Sequence, residues 1–136
     1  MRIINDIKTS GMKRIISTTA APGAIGPYSQ AVEINGTLYI SGQVPIDPAT
    51  GKMVEGGITE QTTQALKNIK AILAAAGYSL NDVVKSTCLL SDMSDFKAMN
   101  EVYAKFYTTD QPARAAFAVK RLPLGALIEI ETVAAK

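Results

Sequence analysis

Residues 58–76 carry apolar side chains at Ile58, Ala65, Leu66, Ile69, Ile72, Leu73 and Ala76, offsets of 0, 7, 8, 11, 14, 15 and 18 that fall on one face of an α-helix. Gly77 follows as a residue able to take the left-handed conformation that ends a helix. A helix with one apolar face must cover something. The flanking segments read as strands, so the layer beneath it is a β-sheet.

Residues 13–17, 29–33, 37–44, 82–90, 114–119 and 126–134 are rich enough in β-branched and apolar residues to be strands. Asn35-Gly36 joins the second and third as a two-residue hairpin, because both residues tolerate positive φ. Residues 18–28 and 45–51 hold Pro and Gly at loop density. Asp92 is the expected N-cap of a second helix reaching about residue 106, with Phe96, Met99, Val102, Tyr103 and Phe106 as its stripe. Leu122-Pro123-Leu124-Gly125 is read as the turn of a final hairpin. The order is β-β-β-α-β-α-β-β. It implies an α+β domain in which two helices pack on one face of a mixed β-sheet. The other face is left for solvent or another subunit.

At 136 residues the chain is one ordinary domain. Charged residues make up 19% of it, below the roughly 25% usual for a soluble domain. Low charge on a small domain points to surface covered by a second subunit. Net charge is +2 with the signs mixed along the chain, which argues against a nucleic-acid partner. The absence of His excludes Ser-His-Asp and Cys-His catalysis, and the His-based zinc motifs. With Cys88 alone there is neither an intrachain disulfide nor a CxxC motif. No apolar run approaches 18 residues, so no membrane span is expected. The first 12 residues lack the apolar core of a secretory signal, leaving the cytoplasm as the default. Met12-Lys13-Arg14-Ile15-Ile16 reads like a second start, which makes residues 1–11 an expected extension outside a 12–136 domain.

The last strand divides into Ile128, Ile130, Thr132 and Ala134 on one face and Leu127, Glu129, Glu131 and Val133 on the other. The first face suits a core. Carboxylates among apolar residues on the second suit an intersubunit face, or else are solvated strand charges. Arg114 opens a strand of small residues; it either points to water or offers its fork of donors to a carboxylate. Asn100 borders the second helix's stripe and needs a partner, in the backbone or in a ligand. Ser41-Gly42 marks a close approach or a bulge. Tyr28 is a plug at a loop–strand junction. Cys88, with no His to activate it, reads as a small buried apolar residue. One by one these residues define no activity.

Taken together they do. Ile25-Gly26-Pro27-Tyr28-Ser29-Gln30-Ala31, Ser41-Gly42-Gln43-Val44-Pro45, Ala75-Ala76-Gly77, Asn100-Glu101-Val102-Tyr103, Pro112-Ala113-Arg114-Ala115, Arg121-Leu122-Pro123 and Ile128-Glu129-Ile130 occur in order. From about residue 13 to 134 the chain resembles the RidA (YjgF) family of reactive-intermediate deaminases. The resemblance implies a chorismate-mutase-like fold, a homotrimer with sites between subunits, no cofactor and no metal. It implies hydrolysis of 2-enamine and 2-imine acids, such as 2-aminoacrylate, 2-iminopropanoate and 2-iminobutanoate, to 2-keto acids and ammonium. Arg114 would grip the substrate carboxylate and Glu129 would handle the water proton. Tyr28 would cap the pocket, Ser41, Gly42 and Asn100 would shape it, and the backbone at Ala116 would hold water or the imine nitrogen. Many members have Cys where Ala116 stands, so thiol chemistry ascribed to that position is in doubt here. Two rival functions stay open: a trimeric small-ligand sensor or chaperone-like regulator using the same cleft, and a related hydrolase acting on another carbonyl or amide.

Overall fold

The computed structural model describes residues 12–136. The expected extension at 1–11 lies outside the described residues. Eight strands and two long helices follow in the order β1 (Arg14–Ile16), β2 (Ala31–Ile34), β3 (Thr37–Gln43), β4 (Ile46–Asp47), β5 (Lys52–Met53), α1 (Ile58–Ala76), β6 (Val83–Leu90), α2 (Phe96–Phe106), β7 (Ala113–Ala118) and β8 (Ile128–Ala135). Among the described residues no helix is long and apolar enough to cross a membrane.

The helix spacing predicted for 58–76 matches α1 end to end. Its N-terminus is held by the Gly57 N–H donating 2.9 Å to Glu60 Oε1, and Gly77 closes it at φ 86°. Leu66, Ile69, Ile72 and Leu73 are wholly buried. They meet Leu38, Ile40, Ile128 and Ile130 from the sheet and Met99 and Val102 from α2 in one core. Asn35 (φ 51°) and Gly36 (φ 77°) form the expected β2–β3 turn. Asp92 caps a 3-10 turn, its carboxylate accepting from Ser94 N–H at 2.8 Å, and that turn delays α2 to Phe96.

The main sheet runs β1-β2-β3-β8-β6-β7, antiparallel except for β6 and β7. This corrects the expected final hairpin: β7 and β8 are not neighbours. β8 carries Ile128 and Ile130 fully buried, so it belongs in the middle of the sheet with both edges paired. β7 is mostly alanine and sits at the outer edge, joined to β6 in parallel through α2. The loop expected at 45–51 also contains a short hairpin, β4 with β5. Both helices lie on one face of the sheet. The opposite face is bare, with Tyr39 51% and Phe117 47% exposed.

Candidate active site

On β8 the alternation read from the sequence holds: Ile128, Ile130, Thr132 and Ala134 face the helices, and Glu129 emerges on the bare face. β3 bulges beside it. Ile40 pairs with Thr132 and Gln43 with Ile130, three steps on one strand against two on the other. Ser41 and Gly42 occupy the bulge, so both readings of Ser41-Gly42 are true together. A Cβ on Gly42 would fall 2.9 Å from Glu129 Cδ, so only glycine lets the carboxylate lie across this strand.

The 18–28 loop folds over the bulge. Gln30, nearly buried, anchors it by accepting from Thr18 N–H at 2.7 Å and donating to the carbonyls of Thr18 and Pro22 at 3.0 and 2.8 Å. Ser41 Oγ donates to Ser29 O at 2.6 Å. The result is a cleft of about 590 Å³ lined by Tyr28, Ser41, Gly42, Glu129 and Glu131, with Ile25 and Leu124 beside them. Burial, then the negative charge of Glu131, pushes the Glu129 pKa above the ordinary carboxylate range. No hydrogen-bond donor or cation among the described residues pairs with Glu129. A carboxylate so placed is suited to taking a proton from water.

Arg114 lies elsewhere. Its position on β7 pairs in register with Ser86 of β6, and Ser86 with Thr132 of β8, both buried on the helix side. Its side chain turns toward α2. Nη1 donates to Asn100 Oδ1 at 2.7 Å. The guanidinium carbon lies 4.7 Å from the Tyr103 ring centroid and 5.6 Å from that of Phe96. A hollow of about 390 Å³ opens here between Asn100, Tyr103, Tyr107, Gln111 and Arg114. No carboxylate among the described residues forms an ion pair with Arg114, which leaves donors of its fork for a ligand.

Ala116 follows on the same face, half-buried against the core and in register with Cys88 of β6. The Cys88 thiol is fully buried, and burial raises its pKa to about 11 despite the counter-pull of Arg114. It is the small core residue expected.

The predicted residues therefore fall into two separate groups. Tyr28, Ser41, Gly42 and Glu129 line one; Arg114 and Asn100 line the other, with Ala116 beside them. Sequence reasoning missed the aromatic seat under Arg114, because Phe96 and Tyr103 register as core stripe. It missed Leu124 as a cleft residue, because turn residues carry no face pattern.

The endoribonuclease L-PSP family model matches residues 18–136. A RutC family protein of Pyrococcus horikoshii is 58% identical over 92% of this chain and 99% of its own. The human 2-iminobutanoate/2-iminopropanoate deaminase is 53% identical over 93% of this chain and 92% of its own. The crystal structure of RidA from an Antarctic Psychrobacter superposes with a TM-score of 0.87 at 48% identity, over 90% of this chain and 99% of that one. The chain belongs to the RidA (YjgF) family, the one that the endoribonuclease L-PSP model describes.

Proposed function

We infer that this chain is a deaminase that hydrolyses reactive 2-imino and 2-enamino acids to 2-keto acids and ammonium, at sites built from two protomers. One observation carries the assembly: Arg114 and Glu129 emerge on opposite faces of one sheet. A single protomer offers a carboxylate grip without a base, and a base without a grip. Packing the bare face of one protomer against the β7 edge of another brings the two together, and three copies around an axis close the ring. The half-exposed Tyr39 and Phe117 on that face, and the low charge of the chain, support this trimer.

The chemistry follows from the groups. Arg114 takes the substrate carboxylate in two charge-assisted bonds, its plane fixed by Asn100 and the Tyr103 ring. Glu129 of the other protomer accepts a proton as water adds to the imine carbon. The carbinolamine then loses its nitrogen: the proton held by Glu129 passes to the amine, the C–N bond breaks as the hydroxyl gives its own proton back to the freed carboxylate and its C–O bond becomes the keto group, and that second proton turns the departing ammonia into ammonium. Water and the protonated imine are consumed, and ammonium and the 2-keto acid leave. Tyr28 caps the pocket and Ser41 shapes it. The backbone at Ala116 receives water or the imine nitrogen. We place this work in the cytoplasm, in keeping with the lone, inert thiol of Cys88.

The test uses imines made in situ by an amino-acid oxidase. Arg114→Ala should lower kcat/KM by about a hundredfold or more. Unchanged turnover rejects the mechanism. Binding of 2-keto acids by the wild-type protein without acceleration of imine decay points instead to a ligand sensor.

A further inference from the structure

We propose that Gln61 and Asn68, two buried amides of α1, are positioning residues for the base Glu129: they hold the two strand ends between which its carboxylate lies across Gly42. The proposal rests on the deaminase reading and adds two residues that act on the same site through the backbone.

The two amides interrupt the apolar face of α1. They stand at offsets 3 and 10 from Ile58, within the stripe that covers the sheet, and both are buried inside one protomer. An amide in such a face costs stability unless it is hydrogen-bonded. Here the partners are backbone groups of the two chain segments that build the site. Gln61 Oε1 accepts from Leu127 N–H at 2.8 Å, two residues before Glu129. Asn68 Nδ2 donates to Ile46 O at 2.9 Å and to Val44 O at 3.3 Å, which fixes the chain directly after Gly42 and Gln43. Gln64 Nε2 donates to Asn68 Oδ1 at 2.9 Å and so sets the direction of the Asn68 amide.

The sheet needs this help at this point. The β3–β8 ladder shifts register at the bulge, and its last pair is Gln43 with Ile130. Past that pair β8 keeps its β6 edge, where Glu129 stands opposite Leu89. Among the described residues no β3 residue pairs with Glu129, yet its carboxylate lies against Gly42 in the bulge. The spacing of the two strand ends is therefore set from the helix side, by side chains two turns apart on one helix. A Met at 61 or a Leu at 68 would fill the core without gripping either end.

The experiment measures kcat/KM for the alanine-derived imine, made in situ by an amino-acid oxidase. It compares wild type, Gln61→Met, Gln61→Glu, Asn68→Leu, Gly42→Ala, and Gln61→Met combined with Gly42→Ala. Glu restores an acceptor for Leu127 N–H in the first turns of α1, where a negative charge is favoured. Gln61→Met and Asn68→Leu should lower kcat/KM by about tenfold, because a base displaced by a fraction of an ångström loses its aim on water. Gln61→Glu should stay within about threefold of wild type. A residue that merely stabilises the fold adds its loss to that of Gly42→Ala. One that acts through the approach of Glu129 to Gly42 adds little once that approach is blocked, so the double variant should lie within about twofold of Gly42→Ala alone. Full activity in Gln61→Met, no recovery in Gln61→Glu, additive losses in the double variant, or an unfolded Gln61→Met by circular dichroism would each overturn the proposal and leave the deaminase reading standing. Absence of imine turnover in the wild type would sink that reading, and the positioning role with it.

Discussion

Arg114 on β7 and Glu129 on β8 project from opposite faces of one sheet, with β6 between their strands. If each active site draws them from different protomers, two inactive variants complement each other. Arg114→Ala and Glu129→Gln, unfolded together and refolded at equal amounts, should regain about a quarter of wild-type activity, the share of interfaces at which both intact residues meet. Ammonium release measures it. A mixture no more active than its components rules out the shared site.

Gly42→Ala tests the close approach across the bulge. The added methyl occupies the place of the Glu129 carboxylate, which is the free end of a flexible side chain and can swing away. Activity should fall tenfold or more while stability changes by less than about 1 kcal/mol. A fully active variant shows that the carboxylate need not lie there.

The raised pKa of Glu129 sets the acid limb of kcat/KM, because the base works ionised. Glu131→Gln removes the smaller of its two causes, so the limb should move to lower pH. For stability the sign is opposite to that of a paired carboxylate. A folded pKa above the unfolded one contributes stability at low pH that is lost as pH rises through the folded value. Glu129→Gln should therefore be inactive and no less stable than wild type at neutral pH. A limb that stays fixed or rises in Glu131→Gln contradicts this.

Glu33 is the ordinary case. Arg14 Nε donates to Glu33 Oε1 at 2.8 Å and the Tyr78 hydroxyl to Oε2 at 2.6 Å; the Arg14 bond first, against some burial, holds the Glu33 pKa below its usual value. Stability from this pair is present above the unfolded value near 4.5 and is lost as pH falls through the lower folded value. Glu33→Gln should cost about 1–2 kcal/mol in urea melts at neutral pH and flatten the fall in stability below pH 4.5. An unchanged acid profile would assign that fall to other carboxylates.

Cys88, with its pKa raised to about 11, should resist thiol reagents at pH 8 in the folded protein and react on unfolding. Rapid labelling of the native protein would show that β6 opens locally.

The sequence announces what is periodic or chemically singular. The stripe of 58–76 with Gly77 defines α1 to its ends, Asn35-Gly36 gives the first hairpin, and the alternation on β8 assigns Glu129 to the bare face before any coordinates. It is silent where residues carry no pattern. Ala113–Ala118 is too uniform to say which strand it pairs with, so its chain neighbour β8 looks as good a partner as β6, which it in fact joins. The same silence hid the separation of the site: β7 lies beyond β6, and only that order shows that Arg114 and Glu129 cannot meet within one chain. Ser41-Gly42 signalled a special backbone without saying that Glu129 fills the space left by the missing Cβ.

The placement of β8 between β3 and β6 has a consequence for biogenesis. This keystone follows every other strand among the described residues, yet it joins the two halves of the sheet. Until it emerges, β1–β3 and the β6-α2-β7 unit present two open ladders with nothing to zip them together. The domain closes only when β8 joins them, and a chain cut short before residue 128 carries two sticky sheet edges to the chaperones rather than forming a smaller working protein.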